Sequence, residues 1–173
     1  MIKLKKGSDE MEKKCFFTGH RGLGADFDRQ KAYELIKILN EKCGVDTFVC
    51  GGAVGFDIEM GELVLKLKEE HSSVKLWLFL PCINQDAKWN YTDKARRQAL
   101  IDRADYIDCP QVYYDSTVMK TRNYKMVDTC FYGISYFNGK RVSGTAQTLR
   151  YAKRQGRKIF NLAKEGNDAI NGL

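Results

Sequence analysis

Residues 47–62 read TFVCGGAVGFDIEMGE, and this stretch decides the fold class. Its first four residues are short, apolar or β-branched, as expected of a buried strand. From Phe56 onward, apolar residues recur at helical spacing as far as Leu67. Glycines fill the turn between the two elements. A strand, a tight turn and a helix form the repeating unit of parallel sheets with crossover helices.

The same unit repeats along the chain. Short apolar runs predict strands at residues 15–18, 47–50, 74–80, 106–109, 134–137 and 158–161. Amphipathic stretches predict helices at about 32–43, 56–67, 92–103, 119–130 and 145–155, with Thr92 as the cap of the third. This alternation predicts a Rossmann-like, three-layer α/β fold: a mostly parallel sheet of about six strands with helices on both faces. We expect one domain over 14–162, a polar tail over 1–13 and a flexible tail over 163–173.

The composition is that of an ordinary globular domain, and its positive charge fits an anionic partner, although many basic proteins bind neither nucleotides nor nucleic acids. The chain has 173 residues, 43% of them hydrophobic, and six cysteines without a CxxC pair, which we interpret as reduced core residues. The first segment is charged, and no apolar run reaches the roughly 18 residues of a membrane span. We therefore expect a cytoplasmic protein with no membrane partner. The net charge of +7 favours a nucleotide or a nucleic acid as partner.

In open parallel sheets, ligands bind outside the carboxyl ends of the strands, so the loops there are the candidate sites. The turn after the second strand places backbone amides beside a helix start, where they attract phosphate. Its candidate ligand-binding residues are Gly51, Gly52, Ala53 and Gly55. Asp57 follows in the first helical turn. A carboxylate repels phosphate, so Asp57 either accepts hydrogen bonds from ribose hydroxyls or only complements the helix dipole, as Glu59 does.

Two further loops have the same character. After the first strand, the glycines of FTGHRGLG allow the backbone to approach a phosphate, and the guanidinium of Arg21 can bind it. Alternatively, this segment is only a solvent-exposed loop that binds no ligand. The candidates in it are Thr18, Gly19, His20 and Arg21. After the fifth strand, a helix starts at Ser143, Gly144 and Thr145. These residues either bind a second part of the same anion, or Thr145 only caps the helix.

The loop after the third strand and the fourth helix complete the candidate set. Pro81 and Trp89 lie at the same edge of the predicted sheet, and Trp89 either stacks on a base or packs in the core. Arg122 borders an apolar helical stripe that includes Asn123. A half-buried arginine requires an anion, which is either a carboxylate such as Asp57 or a ligand phosphate.

Other chemistries lack the residues they need. The chain has two histidines and no cluster with metal-ligand spacing, so we expect no metal and no cofactor. It also lacks a GxSxG elbow and a GxxxxGK[ST] loop, which argues against a serine hydrolase and a P-loop NTPase.

Five segments, FTGHR, CGGAVGFD, PCINQDAKW, TRNYKMVD and SGTAQTLRYAKRQG, occur in an order and at separations that resemble the YpsA-like branch of the SLOG superfamily over residues 14–162. The resemblance implies a Rossmann-like fold, a site for nucleotide-derived ligands and a homo-oligomer. Relatives in the superfamily include lonely-guy phosphoribohydrolases that activate cytokinins, the DNA-processing protein DprA, and sensor domains for signals of the cyclic ADP-ribose type.

The resemblance also shows a departure. In the phosphoribohydrolases a PGGxGTxxE motif supplies a glutamate that works with an arginine on an earlier helix. Arg122 resembles that arginine, but Thr148 stands at the glutamate position and Ser143 replaces a glycine. Loss of the carboxylate removes the group that would stabilise an oxocarbenium-like transition state.

We therefore expect a protein that binds ADP-ribose, cyclic ADP-ribose or a nucleoside phosphate, as a sensor or a sequestering protein. The alternative is an N-glycosidic hydrolase acting on a nucleoside monophosphate or an NAD-like substrate, with Arg122 on the phosphate and Asp57 or Glu62 as the catalytic carboxylate. The second alternative, which we favour less, is single-stranded nucleic-acid binding.

Overall fold

A computed structural model describes residues 10–173, so the first nine residues of the expected N-terminal tail lie outside the described part. Six strands in that part form one sheet: β1 Lys14–Gly19, β2 Thr47–Cys50, β3 Lys75–Phe79, β4 Tyr106–Asp108, β5 Tyr132–Tyr136 and β6 Lys158–Asn161. Their order is β4-β3-β2-β1-β5-β6, and every neighbouring pair is parallel. The predicted Rossmann-like α/β fold is confirmed.

Helices connect the strands as right-handed crossovers require. They are α1 Arg29–Cys43, α2 Phe56–Glu70, α3 Tyr91–Arg103, α4 Val118–Thr129, α5 Gly144–Arg154 and α6 Gly166–Asn171, with a short 3₁₀ helix at Ile83–Asp86. No helix in the described residues has both the length and the apolar character needed to cross a membrane.

Two helix starts differ from the sequence expectation. The cap of α3 is Asn90 rather than Thr92, and its side chain accepts a hydrogen bond from the Asp93 amide at 2.8 Å. The cap of α5 is Ser143 rather than Thr145, and its hydroxyl accepts from the Ala146 amide at 3.1 Å. Both capping residues have extended backbone, and a cap bonds the amide two or three residues ahead. The true caps therefore lie two residues before the predicted ones.

The sheet is covered on both faces, because successive residues of a strand point to opposite sides. Phe17 belongs to the larger core cluster with α1, α2 and α3, whereas its neighbour Phe16 packs with Met126 of α4 and Ala152 of α5. Both phenylalanines are essentially inaccessible to solvent. All six cysteines are free, with Cys43 exposed and Cys109 partly so, while the other four are buried.

Residues 163–173 are the segment that we expect to be a flexible C-terminal tail. They contain α6, and Ala169, Ile170 and Leu173 pack against a small cluster that includes Phe137 and Leu149. The Asn161 side chain fastens this segment by donating to the Gly166 carbonyl at 2.7 Å.

The strand order positions the functional site. From β1 the chain adds strands in one direction as far as β4, then returns to place β5 on the other side of β1. The connections that leave β1 and β5 therefore diverge onto opposite faces of the sheet. Such a reversal opens a crevice at the carboxyl ends of the strands, where ligands of doubly wound folds bind.

Candidate functional site

A cleft of about 400 Å³ opens at this crevice. The loops after β2 and β5 flank the end of β1, so three of the candidate loops meet there. The predicted site residues that line the cleft are Thr18, Gly19, His20, Arg21, Ala53, Asp57, Arg122, Asn123, Ser143, Gly144 and Thr145. Its volume falls within the range of about 300–1,000 Å³ typical of small-molecule sites.

The glycines after β2 allow charged groups and backbone to pack closely. A Cβ at Gly51 would lie 2.6 Å from both Arg122 Cζ and Asp57 Oδ2. Gly55 has a φ of +88°, and a side chain there would collide with the backbone carbonyl of Arg21. A side chain at either position would push the loop after β1 or the two charged residues out of place. Ala53 and Asp57 are the residues of this segment that line the cleft.

Arg122 reaches the cleft from α4 and is 6% exposed. Its Nη1 donates to the carbonyl of Gly51 and, at 3.1 Å, to that of Phe79, while its Nε donates to the Asn123 side chain at 2.7 Å. Within residues 10–173 no carboxylate lies within 4.0 Å of its guanidinium. Backbone carbonyls thus take the place of the carboxylate partner that the sequence suggested. Burial lowers the pKa of Arg122, and the charge of Asp57 opposes that change.

Asp57 is 7% exposed and belongs to the first turn of α2. Its Oδ2 accepts a hydrogen bond from the Ala53 amide at 3.2 Å. Burial raises the pKa of Asp57, although the charges of Arg122 and Arg21 and this hydrogen bond act against the increase. The carboxyl group therefore holds its proton more readily than an exposed aspartate does.

The N-terminus of α5 forms the anion-attracting side of the cleft. The first backbone bond of the helix runs from the Gln147 amide to the Ser143 carbonyl at 3.0 Å, so the amides of Gly144 and Thr145 precede it. Amides at such positions carry the positive end of the helix dipole. The side chains of Arg21 and Lys140 line the same cleft and add two positive charges.

His20 is held in its neutral form. Its Nε2 accepts a hydrogen bond from the Asn138 amide at 3.3 Å, and its ring centroid lies 5.8 Å from that of Phe137. Burial lowers the pKa of His20 from 6.5, which leaves the imidazole uncharged at neutral pH. With Nε2 as acceptor, the proton resides on Nδ1.

Besides Gly51, Gly52 and Gly55, which do not line the cleft, three other predicted residues lie elsewhere. Glu62 is on the outer side of α2, where its carboxylate pairs with Arg96 at 2.7 Å and Arg29 at 3.0 Å. Trp89 lines a neighbouring cavity of about 500 Å³, and Pro81 lines a hollow of about 150 Å³ that also touches Arg122. The structure therefore does not bring these three side chains into the cleft.

Three residues that line the cleft were not among the predicted site residues. Lys140 lies in the loop FNGKRVSGT, Met119 is in the first turn of α4, and Phe17 belongs to β1. Lys140 could have been predicted from the sequence, because it lies in the same loop as Ser143 and Gly144, and that loop follows a strand at the carboxyl edge of the sheet. Thr148, at the position where phosphoribohydrolases carry glutamate, donates its hydroxyl to the Gly144 carbonyl at 2.8 Å.

In the described residues, no group of three or more His, Cys, Asp or Glu side chains is arranged to hold a metal.

The sequence of most of the chain matches a known family. A family model for YpsA, described as the YspA SLOG family, matches residues 29–164. The chain belongs to the YpsA SLOG family. The resemblance inferred from the five sequence segments is thereby confirmed.

Curated relatives share part of the sequence. A UPF0398 protein of Halalkalibacterium halodurans is 27% identical over 95 residues, which cover 54% of this chain and 48% of that protein. A UPF0398 protein of Brevibacillus brevis is 31% identical over 75 residues, or 43% of this chain and 39% of that protein. The matched region thus spans about half or less of the length of these two relatives.

Solved structures share the fold. DNA processing protein A from Streptococcus pneumoniae superposes with a TM-score of 0.63 at 17% identity, covering 92% of this chain and 55% of that chain. DNA processing protein A from Helicobacter pylori superposes with a TM-score of 0.61 at 19% identity, covering 91% of this chain and 67% of that chain. The Helicobacter pylori structure was described for its single-stranded DNA binding mode.

Proposed function

We propose that this YpsA family protein binds a nucleotide-derived ligand in the cleft, with a phosphate at the α5 N-terminus and a ribose near Asp57. The observation that carries the proposal is the convergence of the α5 N-terminus, Arg21 and Lys140 on one cleft at the strand-order reversal. We expect ADP-ribose, a cyclic ADP-ribose isomer or a nucleoside phosphate, bound by a sensor or sequestering protein.

The phosphate is the better supported part of the ligand. Amides at a helix N-terminus donate to anions, and the helix dipole adds to the attraction. Within residues 10–173, the side chains of Arg21 and Lys140 have no hydrogen-bond or ion-pair partner, although both line the cleft. Two uncommitted cations beside a helix N-terminus supply the charge-assisted bonds that a phosphate dianion accepts.

Asp57 favours ribose over a second phosphate. A carboxylate close to phosphate is repelled, whereas the two hydroxyls of a ribose donate hydrogen bonds to it. Only Oδ2 of Asp57 bonds to a backbone amide, so Oδ1 remains for the ligand. The Arg122 side chain, which donates to two backbone carbonyls, fixes the positions of the Gly51 backbone and Asp57 beside the cleft.

A thermal-shift panel tests the proposal. The panel contains ribose 5-phosphate, AMP, NAD, ADP-ribose and cyclic ADP-ribose isomers. We expect at least one of them to raise the unfolding temperature, because ligands that bind only the folded state stabilise it. Arg21→Ala should weaken binding about tenfold or more, as loss of a charge-assisted bond does. Lys153→Ala removes the same charge from the far end of α5 and should leave affinity unchanged. Absence of any shift at millimolar ligand would refute the proposal.

Hydrolysis is a second candidate, favoured by the burial of Asp57 and its raised pKa within the cleft. Carboxyl groups with raised pKa values serve as general acids or bases in enzymes. Chromatography of AMP and NAD after incubation decides this question. Release of free adenine or nicotinamide that disappears in Asp57→Asn would establish an N-glycosidase, and intact ligand would leave a binder.

Single-stranded nucleic acid is the third candidate, favoured by the shared fold with the Helicobacter pylori protein and by the net charge of +7. Fluorescence anisotropy of a labelled oligodeoxynucleotide tests it. Binding through backbone phosphates should weaken steeply as salt increases. No anisotropy change at low salt would exclude this function.

A further inference from the structure

We infer that the ligand carries a planar base and that this base binds in the neighbouring cavity of about 500 Å³, hereafter the second cavity, against Trp89 and Tyr114. The inference rests on the proposed function and deepens it. It adds a position for the base to the positions proposed for the phosphate and the ribose.

The second cavity continues the cleft. Arg21 and Met119 line both spaces, so a ligand whose phosphate lies at the α5 N-terminus can extend past these two side chains without leaving the protein surface. The remaining walls come from Trp89, the 3₁₀ helix and the loop after β4. The two cavities therefore form one elongated site with two chemically different ends.

Hydrogen bonds connect the walls of the second cavity to each other. The Asn84 amide donates to the Val112 carbonyl at 3.2 Å, and the Asn84 side chain accepts from the Tyr114 amide at 3.1 Å. These bonds join the 3₁₀ helix after β3 to the loop after β4. Tyr114 is consequently held beside the cavity although its side chain is 62% exposed.

Trp89 is also held in place. Arg97 lies over the indole, with its Cζ 5.9 Å from the ring centroid, and donates to Asp86 at 3.2 Å. Arg97 is itself 4% exposed, so a buried arginine, paired with the partly exposed Asp86, supports the indole. Part of the indole packs on the core while the ring also lines the second cavity. Aromatic rings held in this way bind bases by stacking without a large ordering cost.

Gln85 links the two ends of the site. Its Nε2 donates to the Gly51 carbonyl at 3.4 Å, the same carbonyl that accepts from Arg122. Its Oε1 is buried and has no hydrogen-bond partner among the described residues. A buried acceptor without a donor is costly, and native structures usually satisfy it.

The lining of the second cavity suits a base and not another phosphate. It contains amide, aromatic and aliphatic side chains together with Arg21 and Lys88 at its rim, and no carboxylate. Flat apolar walls with a few polar groups are the usual surroundings of a bound base.

Calorimetric titration with two probes, ribose 5-phosphate and AMP, tests the inference. In the wild-type protein we expect AMP to bind about tenfold or more tightly than ribose 5-phosphate, because stacking of one base contributes a factor of this size. Trp89→Leu retains apolar packing but removes the ring. It should abolish most of the advantage of AMP and leave the affinity for ribose 5-phosphate unchanged.

Two adjacent tyrosines provide a matched control. Tyr113 and Tyr114 are 74% and 62% exposed, but only Tyr114 lines the second cavity. Tyr114→Ala should reduce the advantage of AMP several-fold, and Tyr113→Ala should not change it. Both positions lie outside the core, so the variants retain the fold, which circular dichroism verifies.

Tryptophan fluorescence gives an independent readout. The chain has two tryptophans, and Trp77→Phe leaves Trp89 as the sole indole. AMP should quench its emission, whereas ribose 5-phosphate should not.

The outcomes separate the two proposals. Equal affinities for the two probes in the wild type, or an AMP advantage that survives both Trp89→Leu and Tyr114→Ala, would overturn the second cavity as the base site while leaving the phosphate site intact. Failure of both probes to bind, or ribose 5-phosphate binding unaffected by Arg21→Ala, would overturn the proposed function and this inference with it.

Discussion

Helix α2 carries acidic residues on two sides, and their surroundings differ. On the outer side, Glu59 and Glu62 pair with Arg96 at 2.6 and 2.7 Å, and Arg29 joins the same group. On the inner side, Asp57 faces the cleft close to the guanidinium of Arg122, without a direct ion pair within 4.0 Å. We call these the outer network and the inner pair.

The comparison shows how the same residue types divide between structure and site. Every charge of the outer network is neutralised by another side chain, so nothing remains for a ligand, and our proposals therefore omit Glu62. In the inner pair, backbone groups hold both side chains: two carbonyls for Arg122 and one amide for Asp57. Backbone bonds fix the geometry and leave a carboxylate oxygen facing the cleft.

The largest expected effect separates the two arginines. Arg122→Met should lower the free energy of unfolding by about 3 kcal/mol, because it leaves buried carbonyls unpaired and Asp57 without a neighbouring positive charge. Arg96→Met should cost about 1 kcal/mol or less, since exposed ion pairs contribute little. Urea unfolding of both variants measures the difference. Equal decreases in the free energy of unfolding would mean that the inner pair contributes no more to stability than the outer network.

The second effect is the pH dependence of stability, which has opposite signs for Asp57 and Glu62. Burial raises the pKa of Asp57 above 3.8, so the folded state binds its proton more tightly, and Asp57 lowers stability as pH rises through its folded-state pKa. Burial also opposes ionisation of Glu62, but hydrogen bonds from Arg96 and Arg29 outweigh it and lower that pKa below 4.5. Glu62 therefore contributes stability that is lost as pH falls through its folded-state pKa.

Matched isosteric variants test these signs. Asp57→Asn should be at least as stable as the wild type at pH 7 and should remove the decline with rising pH. Glu62→Gln should be less stable than the wild type at pH 7, and the gap should close in acid. Urea unfolding from pH 3 to pH 7 measures both. A loss of stability in Asp57→Asn that matches that of Glu62→Gln would contradict the distinction.

The smallest effect lies at the edge of the outer network. The Arg29 side chain is 47% exposed, and Arg96 contacts the same two glutamates. We expect Arg29→Ala to cost about 0.5 kcal/mol, a cost that 1 M salt reduces further by screening. Thermal unfolding at low and high salt measures it. A cost that is large and unaffected by salt would show that Arg29 acts through packing.

Much of the site could be predicted because its residues follow strands. Thr18 ends a predicted strand, and Ala53 and Ser143 follow predicted strands within a few residues; parallel strands bring such positions to one edge. The errors at Asn90 and Ser143 are local: several polar residues precede each helix, and only backbone conformation selects the one that caps.

Glu62 and Trp89 show where sequence reasoning stops. A helical pattern places Glu62 one turn beyond Asp57, but it cannot say that Arg96 of α3 lies within reach. Trp89 was expected beside the glycine-rich loops, but it lines the second cavity, whose other walls include Arg21 and Tyr114. Both outcomes depend on contacts between segments far apart in the chain.

The sequence by itself determined the alternation of strands and helices, and with it the parallel sheet and the edge where polar loops gather, because hydrophobic periodicity and turn residues act over a few neighbours. Tertiary structure alone decided that β5 lies beside β1, and hence which loops meet in the cleft. It also gave Arg122 two backbone carbonyls in place of a carboxylate. Packing across the sheet makes these choices, since it depends on distances that no local pattern encodes.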